Sequence, residues 1–260
     1  MKKIKKDNEP EALAEYKVAN PNDDWKNGFK KNAGKQPNLD IKNALLTEQK
    51  GLCVYCEIDL KDGAGQALND FRVEHFYPEN PEEKDKRHDG INYALHWDNM
   101  FGCCTGGNSK SVVDKSDRYT NPDFSCDVEK GNHDWTNDLL NPLSDIPAYP
   151  LIFEFNEEGE ISVSDSRCPE EIKDKANNTI RLLRLDSDRL NKFRKSIIDT
   201  LREQVLEVEQ EKGLDLALSE IASCHLAEDE NGHYSAFFST IRWYFLNESE
   251  NILKELSYDG

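Results

Sequence analysis

No stretch of the 260 residues approaches the run of about 18 apolar side chains that a membrane-spanning helix needs. The opening segment Met1-Lys2-Lys3-Ile4-Lys5-Lys6-Asp7 also lacks the apolar core of a signal peptide. The expectation is a soluble, cytoplasmic chain with no membrane partner and with reduced cysteines. There are seven cysteines, and an odd number argues against a simple disulfide framework. Basic residues are scarce: 33 Lys+Arg stand against 51 Asp+Glu, for a formal net charge of −18. Such a chain repels polyphosphate at long range, which excludes a strong non-specific grip on nucleic acid without a local basic patch, a metal or a partner. Only residues 1–50 carry a basic excess, 11 against 8. Its lysines at 2, 3, 5, 6, 26, 30, 31 and 35 read either as a nucleic-acid contact or as a solvated arm. Internal repeats and low-complexity tracts are absent.

Three sections follow from the pattern: a helical arm at 1–50, a cysteine-rich core at 51–145, and a hairpin followed by helices at 146–260. In the arm, Asn38 or Asp40 can cap a helix carrying Ile41, Ala44, Leu45 and Leu46, with Gly51 ending it. Phe71 to Phe76 reads as a strand, and both Pro78 to Gly90 and Phe101 to Phe124 read as loops. Loops of that size inside a compact domain are uncommon unless something pins them. Leu151 to Phe155 and Ile161 to Val163 flank a turn and predict a hairpin. Beyond Pro169 the apolar residues recur at helical spacing: Leu190, Phe193, Ile197, Leu201, Val205 and Val208 share one face.

Cys53-Val54-Tyr55-Cys56 has the spacing of a zinc knuckle, and Cys103 or Cys104 and then Cys126 can complete four ligands. A redox pair or ordinary buried thiols are the competing readings, but the βαβ setting of a redox pair is missing. A zinc would staple the long loops. Cys168 and Cys224 lie outside this cluster and read as small core residues. Joining the cysteines would gather Glu74, His75, Asn99 and Asp127. A histidine beside hard oxygen ligands suits metal-assisted hydrolysis, with the imidazole taking a proton from water and a carboxylate-bound ion stabilising the leaving oxygen. Neighbouring strand residues point to opposite faces, so Glu74 and His75 share a site only if the strand ends or twists, which Pro78 allows. His88, His96, His133, His225 and His233 read as surface or packing residues.

The order Cys53-X2-Cys56, Val73-Glu74-His75-Phe76-X-Pro78, Trp97-Asp98-Asn99-Met100, Cys103 and Cys126-Asp127-X2-Lys130-Gly131 resembles an HNH endonuclease. More narrowly, it resembles the HNH components of Septu-type antiphage systems (PtuB-like), also found beside some retrons. The resemblance implies an α+β fold, mainly helical, with a small zinc-stapled ββα-metal core and a β-hairpin. It implies phosphodiester hydrolysis of nucleic acid, DNA in the first instance, with structural Zn²⁺ on Cys53, Cys56, Cys103 and Cys126 and a catalytic Mg²⁺ or Mn²⁺. It further implies an ABC-type, SMC-like ATPase as hetero-oligomeric partner. Carried over, His75 matches the general base, Glu74 a metal-binding acid, and Asn99 the middle asparagine that orients the histidine loop. Asp127 stands at the last metal ligand and Lys130 at the lysine that often follows. The sequence departs from the family by stretching the second Cys-X-X-Cys into Cys103 and Cys126. Gly106-Gly107-Asn108-Ser109-Lys110 imitates the motif's ending, so Asn108 is an alternative metal ligand. The competing function is a non-catalytic zinc-stabilised adaptor that binds a protein partner.

Overall fold

The computed structural model describes residues 1–107 and 124–260. It is mainly helical, with two small antiparallel sheets. The first third supplies α1 (Glu11–Ala19), α2 (Lys30–Asn32) and α3 (Lys35–Glu48). Helix α3 begins after Gly34, whose φ of 92° suits glycine, and it takes no side-chain cap. Asn38 and Asp40, expected as caps, therefore lie inside the helix, one turn later than its start. Pro37 fits because the first turn has no intrahelical N–H bond to lose.

Strand β1 (Arg72–His75) pairs with β2 (Met100–Cys103), in the register Arg72↔Cys103, Val73↔Gly102, Glu74↔Phe101 and His75↔Met100. Strand β2 falls where the sequence suggested a loop. All four of its residues are buried, so the in-out alternation that marks a strand is missing. A short helix α4 (Asp127–Lys130) follows Cys126. The predicted hairpin is present as β3 (Phe153–Phe155) and β4 (Ile161–Val163). The helical remainder is α5 (Glu170–Leu182), α6 (Asp188–Lys212), α7 (Leu214–Leu226), α8 (Phe238–Tyr244) and α9 (Asn247–Glu255).

Among the described residues, three apolar clusters fill the interior. The largest surrounds the cysteines and collects Tyr55, Phe101, Phe153, Leu183 and Leu190. A second joins α6 to α9 through Leu201, Val205, Phe238 and Leu253. The third, under the N-terminal helices, contains Trp25, Phe29, Ala94 and Met100. Lys2 and Lys6 are folded in rather than splayed as an arm: Lys6 sits 3.6 Å from the Trp97 ring centre and near Glu48. Cys168 is buried as expected, but Cys224 is exposed on α7, which corrects its reading as a core residue.

Two buried polar side chains hold the cysteine turn. Glu57 accepts hydrogen bonds from Ser239 N at 2.8 Å and Ser239 Oγ at 2.6 Å, tying the turn to α8. Gln49 donates to the carbonyls of Leu52 and Gly102, both at 2.8 Å, and accepts from Gly102 N at 2.6 Å. Its amide thus bridges the turn to the middle of β2. Gln49→Ala would remove the side-chain partner of Leu52 O and Gly102 N, while Gly102 O keeps Val54 N at 3.1 Å, at about 1–3 kcal/mol for each uncompensated group. The expected outcome is a loss of roughly 3 kcal/mol in urea unfolding, and a change below 0.5 kcal/mol would refute the bridge.

Candidate active site and metal centre

The metal centre is built from three separate pieces of chain. The turn after α3 presents Cys53 and Cys56, closed by Cys53 N to Ile58 O at 2.9 Å and Glu57 N to Cys53 O at 3.0 Å. The end of β2 presents Cys104, and Cys126 precedes α4, fixed by its N–H to Leu183 O at 2.9 Å. The sulfurs of Cys53, Cys56, Cys104 and Cys126 all lie within 4.8 Å of one another and are buried. Cys56 and Cys104 are 3.6 Å apart, and Cys104 and Cys126 are 3.8 Å apart. A tetrahedral zinc with Zn–S bonds of about 2.3 Å sets its sulfurs roughly 3.8 Å apart. The donor set is soft, buried and correctly spaced, so it fits a structural zinc. Cys104 N donates to Cys53 Sγ and Gly106 N to Cys104 Sγ, each at 3.4 Å, which suits thiolate charge.

Cys103, expected as the third ligand, is outside this set. Its thiol lies 3.7 Å from Asp127 Oδ1 and 3.9 Å from Cys53 Sγ. The reason is strand alternation: Cys103 is the last residue of β2, and Cys104 points the other way as the chain leaves it.

Strand β1 divides the remaining candidates between its two faces. Arg72 and Glu74 turn toward α4. Arg72 Nη1 lies 3.3 Å from Asp127 Oδ2, and Lys130 Nζ lies 2.8 Å from Glu74 Oε1. Tyr55 donates to the same Glu74 oxygen at 3.3 Å. The Asp127 carboxyl is pushed up to about 7, first by burial and then by the Glu74 charge. Glu74, paired with buried Lys130, and Asp127, paired with part-exposed Arg72, thus lie close enough for one charge to raise the other, and the two hard carboxylates offer a donor pair for a divalent cation. Lys130 is 0% exposed, and its ammonium also donates to His75 O at 2.8 Å. Expected to act in catalysis, it is instead spent on holding Glu74 and the end of β1.

Val73 and His75 occupy the opposite face, against the N-terminal cluster. The His75 ring is 5.8 Å from the Trp25 ring, and its Nε2 is 3.0 Å from Ala94 O. A carbonyl only accepts, so Nε2 carries the proton and Nδ1 carries the lone pair. Burial pushes this imidazole down to about 4. The expectation that His75 and Glu74 meet at one point is therefore corrected. The twist that Pro78 would allow does not occur within β1, and the ordinary alternation holds.

Asn99 is a clamp. Its Oδ1 accepts from Tyr77 N at 2.7 Å, and its Nδ2 donates to Tyr77 O and Tyr93 O, both at 2.9 Å. The segment leaving His75 is thereby fixed. Asn108, the alternative metal ligand, lies outside the described residues. Sequence reasoning overlooked Arg72, whose place two residues before Glu74 puts it on the same face by the period of two. Tyr55, inside the knuckle, was overlooked as well.

No family model matches the sequence. The chain is 28% identical, over 218 residues, to an Escherichia coli protein whose name links it to retron Ec83 and offers HNH endonuclease as its undemonstrated activity. The match covers 76% of this chain and 79% of that protein.

Two outcomes check this geometry. Cys104→Ser should abolish zinc retention and forfeit much of the about 10–16 kcal/mol that a structural zinc supplies, while Cys103→Ser keeps the metal; elemental analysis of both variants decides. The second concerns pH. His75 titrates at about 4 when folded and at about 6.5 when unfolded, so the unfolded chain binds the extra proton between those values and stability falls as pH drops. Between pH 7 and pH 5 the His75 contribution is a loss of about 2 kcal/mol. His75→Phe should remove that portion of the pH dependence in urea titrations; identical slopes for variant and wild type would contradict it.

Proposed function

We propose that the protein is a metal-dependent nuclease of the HNH type, the effector of a retron-associated antiphage defence system. The observation that carries this reading is the β1–β2–α4 unit, stapled by four thiols, with Glu74 and Asp127 on one face. The named activity of the Escherichia coli relative supports it. Zinc on Cys53, Cys56, Cys104 and Cys126 is structural in this reading.

Glu74 and Asp127 would hold the Mg²⁺ or Mn²⁺, which supplies charge neutralisation at the leaving oxygen of a phosphodiester. Arg72 partly offsets the burial that raises the Asp127 carboxyl, until that cation takes over. Lys130 positions Glu74, and Asn99 positions the segment after His75. His75 is the base: its Nε2–H is committed to Ala94, so Nδ1 is the atom that accepts the proton of water. In the described conformation this ring is held away from the acids. An enzyme silent until substrate or partner arrives would be arranged so. The partner in this proposal is an ABC-type, SMC-like ATPase, which would present the nucleic acid that a chain of net charge −18 repels.

A second reading is favoured by one observation: the imidazole is buried off the acids, and Arg72 and Lys130 already neutralise them. In that reading the unit is a zinc-stapled adaptor without hydrolysis.

Plasmid and single-stranded circular DNA, incubated with the full chain in Mg²⁺ or Mn²⁺, alone and with the ATPase, distinguish the two. Glu74→Gln, Asp127→Asn and His75→Ala should each reduce cleavage by about 10²–10⁴-fold with bound zinc unchanged. Undiminished cleavage by His75→Ala would remove the proposed base. Absence of cleavage by zinc-loaded wild type in the complex would leave the adaptor.

A further inference from the structure

Beside the end of β1 is a polar cavity of about 370 Å³, between the segment 76–99 and the stretch leading to α5. Phe76, Tyr77 and Asn99 form its near wall, so it begins one residue beyond His75. Its distinguishing feature is a cluster of flat groups, with rings tilted against one another by 56° and 52° around one guanidinium. The Arg87 guanidinium lies 4.2 Å from the Tyr77 ring centre and 5.1 Å from that of Tyr93. Tyr77 and Tyr93 are 4.6 Å apart, and His96 is tilted against Tyr93 at 6.1 Å. Arg87 is further steadied by Thr136 Oγ1 at 2.5 Å and by Tyr93 OH at 3.4 Å. On the far wall, Lys175 of α5 meets Asp145 at 3.0 Å.

Guanidinium planes and aromatic rings are the surfaces on which unstacked bases settle. The amide of Asn137, an exposed residue of the lining, suits the edge of a base. The volume lies at the small end of the about 300–1,000 Å³ of ligand pockets, enough for one nucleoside and too little for a base-paired helix. Charge points the same way. The ionised groups lining the cavity balance, Arg87 and Lys175 against Asp98 and Asp145, in a chain that is otherwise strongly acidic. A duplex, which shows mostly phosphates to such a surface, gains little here. A single strand can place a base.

We propose that this cavity holds one unpaired nucleotide of a single-stranded nucleic acid, its base stacked on Arg87 and Tyr93 and its phosphate beside Lys175. The proposal rests on the nuclease reading and adds the strandedness of its substrate. Arg87 and Lys175 take no part in the acid cluster or the zinc site, so their replacement leaves both intact.

The test is fluorescence anisotropy with a labelled 12-nucleotide single-stranded DNA and its duplex, using the zinc-loaded full chain without added divalent cation. Wild type should prefer the single strand about tenfold or more. Arg87→Ala should weaken single-strand binding about tenfold, and Lys175→Ala should flatten the plot of log affinity against log salt by about 0.7. Asn137→Ala, at an exposed position, gives a second variant that folds independently of the Arg87 contacts; it should weaken single-strand binding while leaving duplex binding unchanged. Equal affinity for duplex and single strand, no binding, or wild-type behaviour of Arg87→Ala at an unchanged thermal midpoint would each overturn the proposal. Nothing is cleaved in this assay, so its failure leaves the nuclease reading standing. Conversely, inactivity of wild type towards DNA in Mg²⁺ would not by itself move these affinities.

Discussion

Four sulfurs drawn to one point are the constraint on which the architecture rests. Cys53 and Cys56 come from the end of the N-terminal helical arm, Cys104 from the exit of β2 and Cys126 from the start of α4. The segment separating Cys104 from Cys126 has few apolar residues in its sequence, Val112, Val113, Tyr119 and Phe124. A metal bound by the four thiolates would offset the loop-closure entropy of bringing those ends together. Backbone N–H groups aimed at Cys53 and Cys104 sulfurs, together with a polar clasp from Gln49 and Glu57, then keep the turn in register with β2 and α8.

The consequence for chemistry follows from the pairing of β1 with β2. Since the knuckle is pinned to Gly102 through Gln49 and through Val54 N to Gly102 O, one face of β1 is committed to the thiol side. That face carries Arg72 and Glu74, and α4 brings Asp127 and Lys130 to meet them. The other face is committed to Trp25 and Ala94, and it takes His75 with it. A single four-residue strand thus separates the acid pair from the imidazole by geometry alone. Residue types suited to hydrolysis are all present, but their alignment is a property of the strand end and not of the motif.

Much of this was legible in the sequence because it depends on short-range signals. The knuckle spacing, the hairpin at Phe153 to Val163 and the helical periodicity from Leu190 to Val208 are local patterns with physical causes. Strand β2 was not legible, because burial on both sides erases alternation and Gly102 weakens strand propensity. The choice between Cys103 and Cys104 was equally hidden. It depends on the direction in which the chain leaves β2, which is set by partners far away in sequence. The separation of His75 from Glu74 was visible as a tension, since adjacent strand residues diverge. Only the pairing register resolves it, through the contacts of Ala94 and Trp25, residues that no motif singles out.

The acidic balance of the chain acquires a structural meaning against this background. Buried or half-buried cations are spent internally: Lys130 on Glu74, Arg72 on Asp127, Lys6 near Glu48 and Arg242 on Glu250. Near the end of β1 the positive groups Arg87 and Lys175 are each balanced by an acid, Asp134 and Asp145. At a surface so balanced, attraction by charge would contribute little to the proposed recognition, and flat stacking surfaces proportionally more. A nuclease built this way would discriminate by whether a base is available to be stacked, and would ignore intact duplex that it cannot grip. That would be a physical route by which an acidic nuclease avoids indiscriminate cleavage of nucleic acid.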